Sequence, residues 1–153
     1  MMPATSFPVL ALVLLAAVLT TAAPAKARQG TLPPGWTEVY SDPAARTRRF
    51  KSTDGQVTLT AQQTPAHGDL AADLDAIAFR PGETITYQRR TRSWIAVSGY
   101  RGGDIFYRKS NLACGGTRWN NVEFIYPRAD KKRLDAMVTS VARGMTRESN
   151  ACG

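Results

Sequence analysis

The chain has 153 residues, a formal charge of +8, 43% hydrophobic and 21% charged residues. Those fractions exclude a disordered chain, and the length excludes more than one large core once an N-terminal leader is set aside. Beyond that leader no apolar run is long enough to span a bilayer, so the basic surplus has to be accounted for on a globular domain.

Residues 1–27 have the features of a signal peptide. An apolar run from Phe7 to Leu19 is followed by Ala25-Lys26-Ala27, a small-x-small cleavage signal. The run is shorter than the roughly 20 residues of a spanning helix, and no Cys follows it to take a lipid. An uncleaved anchor is the minor alternative, because the charges expected ahead of the run are missing. The expected protein is therefore periplasmic or secreted after cleavage near Ala27, with residues 28–153 as one globular domain, monomeric or weakly oligomeric.

Strands come first in the mature chain. Trp36 to Tyr40 and Arg48 to Ser52 are short and weakly patterned. After the Asp54-Gly55 turn signal, Val57, Leu59 and Ala61 alternate with Thr58, Thr60 and Gln62, the pattern of a half-buried strand. A helix begins at Asp69, with Leu70, Leu74, Ile77 and Ala78 on its inner side and Asp73 and Asp75 expected to point away. Pro81-Gly82 ends it.

An antiparallel meander follows. ETITYQRR, SWIAVSGY, GDIFYRKS and RWNNVEFIYP each alternate, and the third of these places Ile105 and Tyr107 on one face. SWIAVSGY is apolar on both faces, so both faces of that strand should be covered. Pro127 stops the last strand. Asp130 is an N-cap candidate for a helix whose stripe is Leu134, Met137, Val138, Val141 and Met145, with Gly144 near its end. The order predicts an α+β domain, an antiparallel sheet of about five to seven strands packed against two main helices.

Gly99, Gly102 and Gly103, around Tyr100 and Arg101, invite a phosphate-cradle reading, but a strand follows them rather than a helix N-terminus. A hairpin bend is the reading they support. Ser98 lacks the first glycine and the helix of an esterase elbow. His67, the only histidine, sits in a turn ahead of a helix, and one His with two Cys is too few for a closed zinc site. Asp73 and Asp75, two apart on a helix, face different directions. No catalytic, metal or cofactor residue is expected, and the chain is read as a non-enzyme.

Cys114 and Cys152 are the only cysteines, and in an oxidising compartment the economical reading is one disulfide. Free or intermolecular thiols are the alternative, and a redox pair a remote one.

The basic residues are the functional lead. Arg89, Arg90 and Arg92 close one strand, while Arg128, Lys131, Lys132 and Arg133 cluster where the last helix begins. Cations in a helix's first turn oppose its dipole, so local helix stability does not account for them. Gathered on one face, the seven would bind an anionic envelope polymer, a lipid headgroup or an acidic protein. Nucleic acid is not expected as a partner of an exported domain.

Two resemblances rest on named residues. ITYQRR, WIAVSGY, IFYRKSNLACGG, FIYP and LDAMVTSVARGM, within residues 83 to 145, resemble a family of small exported bacterial proteins without an assigned activity. The element order, closing on a strand, a Tyr-Pro stop and an amphipathic helix, is similar to the PsbP-like α/β sandwich. The resemblance implies an exported binding or accessory domain and no catalytic residue. The alternatives are a ligand-free structural or stress-related envelope protein and a small hydrolase with an unrecognised site.

Overall fold

The computed structural model describes residues 32–148 and Cys152, with side chains through Gly144 and at Cys152. The expected leader, residues 1–27, lies outside them, as does the side chain of Met145 from the expected helical stripe. In chain order the elements are β1 (Thr37–Asp42), β2 (Thr47–Lys51), β3 (Thr58–Pro65), α1 (Leu70–Ala78), β4 (Thr84–Arg90), β5 (Trp94–Arg101), β6 (Asp104–Ala113), β7 (Arg118–Pro127) and α2 (Lys131–Glu148). All seven strands form one antiparallel sheet in the order β1-β2-β3-β7-β6-β5-β4. The expected α+β class and two main helices are therefore what the described residues adopt.

Period-two alternation sends apolar side chains to both faces of the inner strands, and one helix covers each face. On one side Phe50, Leu59, Ile105, Val122, Phe124 and Tyr126 pack against Leu134, Val138 and Val141 of α2. On the other, Ile95, Val97, Phe106 and Trp119 pack against Leu74 and Ala78 of α1. Each buried aliphatic or aromatic side chain contributes about 1.5–3 kcal/mol relative to exposure. The two-faced apolarity of SWIAVSGY is thus explained, since β5 lies between its neighbours with its Ile95 and Val97 under α1.

Local chemistry sets the ends of α1. The Asp69 carboxylate accepts from the backbone N–H of Ala72 at 3.0 Å, closing the first turn. Asp73 departs from the expected outward position and is buried. It turns inward because Trp119 and His67 supply donors that satisfy its carboxylate there. Asp75, as expected, is exposed, and it pairs with Arg90 at 2.9 Å.

The glycine stretch is a bend, but a tighter one than expected. Arg101 pairs with Asp104 across the two-residue connection Gly102-Gly103, so Tyr100 and Arg101 belong to β5. Gly99 has a different task. It lies opposite the bulge in β4, where a Cβ would stand 1.9 Å from the Thr84 carbonyl oxygen. Only a residue without a side chain admits that approach.

Cys114 and Cys152 form the expected disulfide, with Cα atoms 5.4 Å apart across a separation of 38 residues. It ties the chain beyond α2 to the turn between β6 and β7.

Candidate functional site

Five of the seven predicted cations, Arg89, Arg90, Arg128, Lys131 and Arg133, make contacts that put them in two separate places. Arg89 and Arg90 are adjacent on β4 and so project to opposite faces of the sheet. Arg89 lies over the Trp94 ring, and Arg90 reaches Asp75 of α1. Arg128 stacks on Tyr100, 3.7 Å from the ring centroid, and donates to the Gly102 carbonyl at 3.0 Å. These contacts place the two groups at opposite ends of β5.

The cations opening α2 have local partners that the sequence reading lacked. Lys131 pairs with Asp135, and Arg133 bridges Asp130 and Asp54, each at 3.2 Å. Asp130 directly precedes the helix, and its carboxylate holds the Arg133 side chain. Local carboxylates thus offset the unfavourable helix dipole.

A denser polar cluster, which sequence reasoning missed, sits on the α1 face. Arg108 of β6 donates to Glu83 Oε2 at 2.7 Å, to Glu123 Oε1 at 3.2 Å and to the Ala78 carbonyl at 3.1 Å. The side chains of Arg108 and Glu83 are only 2% and 1% exposed. Arg101 also binds both Glu83 and Glu123, and Arg80 closes on Glu123 Oε2 at 2.6 Å. Burial pushes the Glu83 carboxyl up, but the hydrogen bonds and charges of Arg108 and Arg101 outweigh it and hold the group below the usual range.

Next to this cluster a cleft of about 250 Å³ opens between α1 and strands β3 and β7. Thr60, Gln62 and Thr64 line it from alternate positions of β3, and Asn121 and Glu123 from β7. Ala76, Ile77 and Arg80 close the α1 side, with Pro65 and His67 at one end. Trp119, 1% exposed, also contributes to the wall.

Asp73 organises the His67 end. Its carboxylate accepts from the Trp119 indole N–H at 3.0 Å and the His67 backbone N–H at 3.0 Å, and meets His67 Nδ1 at 2.7 Å. The hydrogen bonds from His67 and Trp119 outweigh desolvation and hold the Asp73 carboxyl below its ordinary value. Asn121 is fixed as firmly. It donates to Thr64 Oγ1 at 2.9 Å and accepts from Ser110 Oγ at 2.5 Å.

The arrangement is a preformed polar cleft whose side chains are oriented by buried partners. One signal for it was present in the sequence. Arg108 shares its strand face with Phe106, and Glu123 shares its face with Trp119 and Ile125, so each charge falls in the phase of buried apolar residues. Glu83, Asp73 and Arg80 carry no such signal, since their positions depend on where α1 docks.

The described residues have an α+β architecture, a seven-stranded antiparallel sheet with one helix on each face and a polar cleft beneath the shorter one. No family model matches the chain, and no curated protein is similar to it. Among solved structures it is similar to LpqN of Mycobacterium tuberculosis, described as involved in cell envelope biogenesis. The TM-score is 0.49 and the identity 12%, over 74% of this chain and 78% of that one.

Proposed function

We propose that the protein is an exported binding domain whose ligand site is the cleft beneath α1. Export is supported by the leader pattern of residues 1–27 and by the Cys114–Cys152 disulfide, a bond of oxidising compartments. The observation that carries the site is the convergence of Arg80, Asn121, Glu123 and His67 on one cleft, each held by a hydrogen bond or ion pair. Preformed concave sites with a few fixed polar groups are what small-ligand binding uses.

This reading moves the site away from the predicted basic residues. Electrostatic capture of a polymer or headgroup needs a continuous field, whereas Arg128, Lys131 and Arg133 are engaged locally and Arg89 and Arg90 lie at the far end of β5.

The test is thermal unfolding in a panel of small sugars, carboxylates and phosphate, with wild type and Ala76→Trp. Ala76 is exposed on α1 and lines the cleft, so the larger ring fills the opening without entering the core. A ligand raises the midpoint of the protein that binds it. At least one compound should do so for wild type and not for the variant; equal responses in both, or none in either, would remove the cleft as a site.

A second reading, a small hydrolase, is favoured by one geometry. His67 Nδ1 against a buried, fully bonded Asp73 is how a general base is oriented. Ester turnover abolished by His67→Gln would support it, and turnover unaffected by that change would exclude it.

A further inference from the structure

We propose that the ligand of this cleft is an uncharged sugar ring; the inference rests on the cleft being a ligand site. The first observation is charge balance. Around and behind the cleft stand Arg80, Arg101 and Arg108, and the carboxylates they or His67 face are Asp73, Glu83 and Glu123. The three arginines pair with two of these carboxylates, Glu83 and Glu123, and the third, Asp73, is satisfied by hydrogen bonds from His67 and Trp119. A charged ligand would have to give up its hydration to meet groups whose charge is spent on one another.

The second observation is which polar capacity is left open. Thr60, Gln62 and Thr64 share one face of β3 by the strand's period of two and form a row along the cleft. The Thr60 hydroxyl and the Gln62 amide make no hydrogen bond among the described residues. Thr64 Oγ1 accepts from Asn121 and keeps its own proton to donate. Hydroxyls and amides both donate and accept, as sugar hydroxyls do, so this row matches neighbouring hydroxyls one for one. Behind the row, the buried Arg108 Nε also has no hydrogen-bond partner among the described residues.

The third observation is the opposite wall. Ala76 and Ile77 of α1 present C–H surface across from the polar row, and Pro65 adds to it at one end. A sugar ring has a hydroxyl rim and C–H faces, and so satisfies both walls. A carboxylate or phosphate can accept from the polar row but offers no C–H face to the opposite wall.

The experiment is a ¹H–¹⁵N titration of the full mature chain with glucose, acetate and inorganic phosphate as separate probes. It follows the Trp119 indole and Asn121 side-chain signals at low and high salt. Glucose should produce saturable shifts with millimolar affinity, unchanged between about 0.1 M and about 1 M salt, where screening would weaken a charged ligand. Gln62→Leu combined with Thr60→Val, both on the strand surface, should lower that affinity at least tenfold while leaving the remaining spectrum in place. Ala76→Trp should abolish the shifts. Salt-sensitive shifts from acetate or phosphate, lost in Ala76→Trp and absent with glucose, would overturn the sugar and keep the cleft as a site. Glucose shifts indifferent to the β3 variants would overturn the assigned contacts. Silence from all three probes at these signals would overturn both the sugar and the site.

Discussion

Arg108 and Glu83 meet inside the molecule, Nη2 to Oε2 at 2.7 Å, with both side chains almost wholly removed from water. One stands on a central strand and the other in the connection from α1 to β4, so the contact fixes where α1 and its loop sit on the sheet. Removing Glu83 takes the closer carboxylate from the buried Arg108 and leaves it only Glu123, which Arg80 and Arg101 also share. Glu83→Gln is therefore expected to destabilise by about 3–5 kcal/mol. Denaturant unfolding measures this. Glu83→Gln combined with Arg108→Met should recover a large part of the loss, because the buried Arg108 charge is removed too. Equal stability of wild type and Glu83→Gln would mean that the pair does not hold α1.

Asp73 and Glu83 both have carboxyls held below their ordinary values. A carboxylate with a lowered folded-state pKa contributes stability that is fully present above the unfolded value. That stability is lost as pH falls through the folded one. Unfolding free energy should be flat from neutral pH to about pH 5 and then drop below about pH 4, where the unfolded carboxylates titrate. Asp73→Asn, which weakens the acceptor of the Trp119 indole, should lower neutral stability by about 2 kcal/mol and make the acid drop shallower. An acid limb as steep as wild type's would exclude Asp73 as a contributor.

Gly99→Ala tests the close approach of β4 to β5. The added Cβ meets backbone, the Thr84 oxygen at 1.9 Å and the Ile85 Cα at 2.9 Å, so β4 must move. A loss of about 3 kcal/mol is expected. Gly103→Ala, where nothing stands within 4 Å, is the control and should change stability by less than about 0.5 kcal/mol. Parity of the two variants would contradict the packing described at the bulge.

The disulfide closes a loop of 38 residues that contains β7 and α2. On the chain-entropy account, replacing Cys114 and Cys152 together by Ser should cost about 4 kcal/mol. The check is the denaturant midpoint of the double variant against the oxidised protein, alongside a thiol titration. Two reactive thiols in the untreated protein would remove the bond.

Much of the fold was legible because burial imposes a period. The alternation of Val57, Leu59 and Ala61 and the stripe of Leu134, Val138 and Val141 each identified an element and its inner side. The disulfide followed from cysteine count and expected compartment. The helix dipole argument left the cations at α2 without a local reason and pointed to an outside anion, because a sequence does not display that Asp54, 79 residues away, comes within reach of Arg133. Asp73 failed for a similar reason. Aspartate on a helix is normally solvated, and only the docking of α1 against Trp119 reverses that preference. The cleft is made by strands β3 and β7, which pair across the sheet although they are distant in the chain. Its residues are therefore scattered through the sequence without a motif.

The most direct test of the cleft is a crystal structure of the mature chain soaked with glucose. The ring should be found between α1 and the β3–β7 pair, hydrogen-bonded to Thr60, Gln62 or Thr64, with Arg108, Glu83 and Asp73 keeping the partners described here. A ring seated instead among Arg89, Arg90 and Arg92, or beside Arg128, Lys131, Lys132 and Arg133, with the cleft left empty, would contradict it.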